Sequence, residues 1–141
     1  MFYEQRTSTP GSVDELRSTY DAELARIVED VGLESATTAT DVDPSALESL
    51  LAGDSPTFSL EEAAEILALA EGEPDAETIV LEACDHLLLG MSTAVLDVET
   101  LASLLEIDRE PRDLQQKIER RAPMTFEEYV HVQYVIAERS P

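Results

Sequence analysis

Three times along this chain a hydroxyl residue stands three positions ahead of a glutamate at the head of an apolar run: Ser12 with Glu15, Ser59 with Glu62, and Thr125 with Glu128. In such a capping box the hydroxyl accepts from the glutamate's backbone N–H, and the carboxylate reaches back to the first residue's N–H. Two donors that a helix start leaves unpaired are thereby satisfied together. Behind each box the apolar residues recur every three or four positions, which marks one face of a helix. No segment alternates with period two over more than four or five residues, as a strand would. The expected class is all-α.

The remaining elements follow from local punctuation. Residues 1–11 read as an arm ending in a turn at Pro10-Gly11, and Met1-Phe2-Tyr3 is its aromatic cluster. A helix from Ser12 to about Val31 carries Leu16, Tyr20, Leu24, Ile27, Val28 and Val31 inward, and Gly32 stops it. A short helix over about Leu33–Ala39 comes next. Asp43-Pro44 opens another, with aspartate as cap and proline at the first helical position. It carries Leu47, Leu50 and Leu51 and ends at Gly53. The Ser59 box starts a helix with Ala63, Ile66, Leu67 and Ala70. Glu71-Gly72-Glu73-Pro74 is the one clear linker, after which a long helix runs from about Asp75 to Val95 with Ile79, Val80, Ala83, Leu87 and Met91 inward. Asp97 caps a short helix bearing Val98, Leu101, Leu104 and Leu105. Pro111 opens one with Leu114 and Ile118, and the Thr125 box opens the last, with Tyr129, Val132, Val135 and Ile136.

The second half repeats the first. A shift of 65 to 67 positions brings Val42-Asp43 onto Ile107-Asp108, Leu47 onto Leu114, Leu51 onto Ile118, Pro56 onto Pro123 and Ile66 onto Val132, and superposes the last two capping boxes. The expected organisation is an arm (1–11), a first unit (12–71), a linker (72–74) and a second unit (75–139), about eight helices in one compact domain packed through the two long helices.

The stretch Leu33–Leu69 resembles the core of a lambda-repressor-like helix-turn-helix domain. Asp41-Val42-Asp43-Pro44-Ser45-Ala46-Leu47-Glu48-Ser49-Leu50-Leu51-Ala52-Gly53 gives a short turn, a capped helix, two inward leucines and a closing glycine in that family's order. The second half is a looser match and lacks the glycine, Arg121-Ala122 standing nearby. The whole chain, including Met1-Phe2-Tyr3-Glu4-Gln5, also resembles a small haloarchaeal family of unknown function. The first resemblance implies that the helices near Pro44–Ala52 and Pro111–Arg121 are the reading helices that would enter the major groove.

Charge separates those two helices. The 141 residues hold 31 acidic and 9 basic side chains, for a net charge of −22. The acids are scattered through every segment, and eight of the nine basic residues are arginine, Lys117 being the exception. That distribution points to a protein adapted to concentrated salt, where a Debye length of about 3 Å removes most of the self-repulsion. The first reading helix offers Ser45, Ala46, Glu48 and Ser49 and nothing basic. The segment Arg109–Arg121 holds five of the nine basic residues and a net charge of +2, leaving −24 on the rest of the chain. With Leu114 and Ile118 inward, Arg112, Gln115, Gln116, Glu119 and Arg120 point outward. Arginine and glutamine can donate in pairs to guanine and adenine edges.

Two readings of this segment stay open. In the first, Arg112, Gln115, Gln116 and Arg120 meet bases and Arg109, Lys117 and Arg121 meet phosphate, making the chain a regulator that binds double-stranded DNA through its second unit. In the second, the units are degenerate and serve a protein–protein adaptor or dimerisation module, homodimer included, with Glu119 pairing to Arg112 or Gln115 and Asp113 to Lys117. DNA requires the five basic residues to form one patch free of carboxylates, so Glu110, Asp113 and Glu119 on the same face would count against it. Concentrated salt also weakens counterion release.

Other chemistries have little to work with. His86 and His131 are far apart in sequence, Cys84 on an apolar helix reads as a small buried hydrophobe, and His131 reads as a polar edge residue. No Gly-rich phosphate loop, HExxH or EF-hand spacing is present. One cysteine excludes an internal disulfide, and no cofactor, metal, small-molecule substrate or catalysis is indicated. The amino terminus lacks the pattern of a signal peptide and no apolar run is of membrane-spanning length, so the expectation is a cytoplasmic protein.

Overall fold

The structure, a computed structural model, describes residues 11–140, and among these every regular element is a helix. In chain order they are α1 (Val13–Val31), α2 (Leu33–Ala39), α3 (Pro44–Leu51), α4 (Leu60–Leu67), α5 (Ala76–Thr93), α6 (Val98–Leu104), α7 (Pro111–Ile118) and α8 (Phe126–Arg139). The expected arm lies outside the described residues apart from Gly11. The expected order of a long helix, two short ones and a capped closing helix occurs in both halves.

Local chemistry sets most of the boundaries. The Ser59 and Thr125 boxes are complete, each hydroxyl accepting from the third residue's N–H and each glutamate returning to the cap's N–H. The first box is different. Ser12 accepts from the N–H of Glu15 at 3.0 Å, but the Glu15 carboxylate takes the N–H of Gly11, one residue further back. Asp43, Asp75 and Asp97 cap α3, α5 and α6, and prolines stand at the first positions of α3 and α7. Gly53 ends α3 at φ 87°, a left-handed conformation that favours glycine.

Not the two long helices but α4 and α8 form the middle of the molecule. The α1 helix packs on α4 and α8, and so does α5, so each long helix serves both halves. The segments leading into α4 and α8 are joined by a short antiparallel bridge between Ser59 and Thr125. The N–H of Leu60 donates to the carbonyl of Met124, and the N–H of Phe126 to that of Phe58, both at 2.9 Å. These two bonds exchange when the halves are interchanged, because each partner lies 66 residues from its counterpart.

The core gathers at this junction. Phe126 is fully buried, with ring centroids 5.7 Å from Tyr20, 5.4 Å from Phe58 and 6.2 Å from Tyr129. Tyr20 on α1 donates its hydroxyl to the amide oxygen of Gln133 on α8, tying the first and last helices together. Leu16, Leu24 and Val28 complete the buried face of α1; Ile79, Ala83 and Leu87 form that of α5. Of the three leucines of α3, Leu47 and Leu50 reach the core and Leu51 is exposed. Gly90 marks a close approach of α5 to α8, since a Cβ built there would stand 2.6 Å from Cγ2 of Ile136.

Candidate interaction surface

The α7 segment, which carries the basic residues singled out by sequence, is divided by a buried carboxylate. Glu128, third residue of the α8 capping box, is wholly inaccessible. Its Oε1 accepts from the N–H of Thr125 at 2.9 Å. Its Oε2 accepts from Nε of Arg109 at 2.6 Å and from Nζ of Lys117 at 2.5 Å. Burial by itself raises the pKa of this carboxyl, but the bonds from Lys117, Thr125 and Arg109 together outweigh it and hold the value down to about 2. Arg109 and Lys117 therefore face inward and are only partly exposed, and Lys117 does not take the expected partner Asp113. Glu62, the equivalent box residue in the first half, has no ion pair with a described residue and stays partly exposed.

The outward surface of α7 is left balanced. Arg112, Gln115, Gln116, Arg120 and Arg121 are exposed, and so are Glu110, Asp113 and Glu119. Three cations thus face three carboxylates, and by helical spacing Glu119 shares the outward face with Arg112, Gln115 and Gln116. Glu119 accepts from Nε2 of Gln115 at 3.1 Å and lies 3.5 Å from Nε of Arg121. Arg112, Gln116 and Arg120 make no side-chain hydrogen bond or ion pair with another described residue.

Arg120 also occupies an uncommon backbone position. At the end of α7 the N–H of Arg121 bonds to the carbonyl of Gln116 and that of Arg120 to Lys117, a Schellman closure that puts Arg120 at φ 64°. The end of α3 closes in the same way, with Asp54 bonded to Ser49 and Gly53 to Leu50. Glycine fills the left-handed position in the first half. Arginine fills it in the second, where its Cβ is crowded.

Two clefts flank the central bridge, each lined from both halves. In the first, Val13, Arg17, Pro56, Phe58, Glu127 and His131 surround a space of about 270 Å³. Arg17 lies across it. The guanidinium holds Oδ1 of Asp21 at 2.8 Å, donates to the carbonyl of Pro56 at 2.6 Å, and sits 5.3 Å and 5.0 Å from the ring centroids of Phe58 and Phe126. Matching the buried faces of α1 and α5, Leu16 to Ile79, Tyr20 to Ala83 and Leu24 to Leu87, places Val80 and Cys84 where Arg17 and Asp21 stand. Val80 and Cys84 line the second cleft, of about 230 Å³, whose buried walls are Leu60, Cys84 and Met124. Its charged members are Lys117, Arg120 and Arg121 against the single carboxylate Glu61. Among the described residues, no side chain equivalent to Arg17 crosses it.

Sequence reasoning did not single out this cleft, nor the outer face of α5. Leu81, Leu88 and Leu89 are 37%, 43% and 63% exposed, and Val95, just past the helix end, is 89% exposed at φ 55°. The signal was present: Leu87-Leu88-Leu89 cannot all face inward on one helix. The corresponding positions of α1 are Ser18, Ala25 and Arg26, so the apolar outer face belongs to the second half alone. Leu81 and Leu88 lie one turn either side of Cys84, which makes this strip continuous with the wall of the second cleft.

The remaining candidates are quiet. Cys84 is 2% exposed, and burial, with a smaller opposing pull from Arg120, pushes its thiol up to about 11. His131 has Nε2 3.8 Å from Glu127, and burial lowers its pKa. Among the described residues no three His, Cys, Asp or Glu side chains are grouped to hold a metal ion, and no single helix is long and apolar enough to cross a membrane.

Fold and surface together define an all-helical chain of two like-ordered halves, with an apolar strip and a cation-rimmed cleft on the second. The chain belongs to Family of unknown function (DUF5791), whose model matches residues 16–139. Comparison with curated proteins and with solved structures gives no match in either.

Proposed function

We propose that this chain is a non-catalytic protein-interaction module, an adaptor or dimerisation unit built from two degenerate helix-turn-helix-like units, and that it does not read DNA. The observation that carries this reading is the pairing of Arg109 and Lys117 with buried Glu128. Of the +2 seen in the sequence of Arg109–Arg121, nothing remains on the exposed surface, where Arg112, Arg120 and Arg121 alternate with Glu110, Asp113 and Glu119. A phosphate backbone needs several uncompensated cations in a row. The loop between α6 and α7 supports the same view, since residues 105–110 are longer than the three- or four-residue turn of the motif. The reading also sets the protein in a salt-rich cytoplasm, the condition that screens a net charge of −22.

The test compares the wild-type chain with the double variant Arg112→Ala/Arg120→Ala. Fluorescence anisotropy against fragmented host DNA is run from about 0.5 to 3 M KCl, the range in which counterion release fades. Affinity capture of protein partners and sedimentation are run beside it. An interaction module shows no saturable DNA binding while folded, and the double variant changes the captured protein or the oligomeric state. Saturable DNA binding that persists in high salt and disappears in the double variant would restore the DNA reading.

A further inference from the structure

We propose that the second cleft, between the start of α4, the middle of α5 and the end of α7, takes an acidic segment of a partner protein. An apolar side chain of that segment enters against Leu60, Cys84 and Met124, and a carboxylate beside it pairs with Arg120. The proposal rests on the protein-interaction reading and gives it a place and a chemistry.

Three observations converge on this cleft. The first is the comparison between the halves. Where Arg17 of α1 spans the first cleft, stacked on two rings and bonded to Asp21 and Pro56, the second cleft has Val80 and Cys84 of α5, so its wall there is apolar and uncharged. The second is the charge of the rim. Lys117, Arg120 and Arg121 line the cleft with one carboxylate, Glu61, the reverse of the balance in a chain of net charge −22. Lys117 is held by Glu128 and Arg121 lies 3.5 Å from Glu119, which leaves Arg120 as the donor without an ion pair among the described residues, and a guanidinium can hold a carboxylate through two parallel bonds. The third is Arg120 itself, kept in a left-handed conformation at a position where the first half has glycine.

The apolar walls and the strip of Leu81 and Leu88 beside them ask for apolar side chains, which a nucleic acid backbone does not carry. Asp85 stands within that strip and Glu61 at the rim. They disfavour a polymer of closely spaced phosphates more than a peptide whose carboxylates can be placed away from them.

The probe is a short fluorescein-labelled peptide with one leucine flanked on both sides by glutamates. It is compared with the same peptide carrying glutamine or lysine in place of glutamate. Anisotropy is measured with the full chain in about 0.5 M KCl, where long-range charge effects are short. The glutamate peptide should bind saturably, the glutamine version about tenfold more weakly, and the lysine version not at all. Arg120→Gly should weaken the glutamate peptide about tenfold while keeping the helical circular dichroism and a cooperative melting transition at the same or a higher temperature, because glycine suits that position. Val80→Arg, which places a guanidinium where Arg17 stands in the first half, should abolish binding. Equal affinity for the glutamate and glutamine peptides, full binding by both variants, or no binding by the folded wild-type chain would each overturn the proposal. In the last case, a protein partner still captured by the wild-type chain keeps the interaction reading and removes only this cleft. A DNA duplex that displaces the peptide from the wild-type chain but binds Arg120→Gly poorly overturns the choice of a protein ligand.

Discussion

Replacing Glu128 by glutamine isolates the largest single electrostatic contribution visible in this fold. The amide keeps the shape of the side chain and can still accept the N–H of Thr125, so the capping box survives while the charge is lost. A carboxyl held at about 2 instead of 4.5 corresponds to roughly 3 kcal/mol in favour of the folded state, at about 1.4 kcal/mol per tenfold change in proton affinity. Arg109 and Lys117, 33% and 21% exposed at their side chains, can turn toward water once the carboxylate is gone. The loss is therefore bounded near that figure and does not grow to the cost of an isolated buried cation. The sign fixes the pH dependence. Because the folded-state value is depressed, the stabilisation is complete above about pH 4.5 and fades as the pH falls toward 2. Urea unfolding of both proteins, followed by far-ultraviolet circular dichroism at fixed KCl, should show a gap of about 3 kcal/mol at pH 7 that closes across that window. Every other carboxylate titrates in both proteins and cancels in the difference. A gap that stays constant down to pH 2.5, or one below about 1 kcal/mol at neutral pH, would refute the assignment of Arg109 and Lys117 to this carboxylate.

Three further outcomes follow from particular contacts. Gly90→Ala gains about 1 kcal/mol of helix propensity but drives a methyl into Cγ2 of Ile136, so thermal melting should show a net loss of about 1 kcal/mol. Combined with Ile136→Ala the loss should be less than additive, and a stabilised Gly90→Ala would contradict the close approach of α5 and α8. Arg120→Gly should raise stability by about 0.5–1 kcal/mol in urea titration, since it relieves a left-handed arginine; a clear loss would mean that the side chain is anchored within the fold. Cys84, buried and with its thiol pushed up to about 11, should react with iodoacetamide at pH 8 about a hundredfold more slowly in the folded chain than in urea, and equal rates would contradict its burial.

The helix starts were legible in the sequence because caps act within three residues. Ser59, Thr125, Asp43, Asp75 and Asp97 bond where their spacing says they should. Helix ends were legible where glycine marks them, as at Gly53. Val95 and Arg120 adopt the same left-handed conformation without being glycine, and only the tertiary fold pays for that. Of the residues singled out by sequence, Arg112, Gln115, Gln116, Arg120 and Arg121 are exposed on α7 and the turn after it. Arg109 and Lys117 turn away because Glu128, 19 and 11 residues further along, comes beneath them when α8 docks. A local capping reading of Glu128 contains nothing about those partners. The second cleft was illegible for the same reason, since its walls come from α4, α5, α7 and the loop before α8.

The bridge between Ser59 and Thr125 has a consequence for how the chain is held together. Each long helix lies across both closing helices, and the hydrogen bonds of the bridge reach from one half to the other. The peptide link through Gly72 is exposed and takes no part in that junction. Cut there, the chain should behave as two fragments with a shared core, associating as the subunits of an obligate dimer do. The covalent connection would then contribute effective concentration, and the fold itself would be a dimer written as one chain.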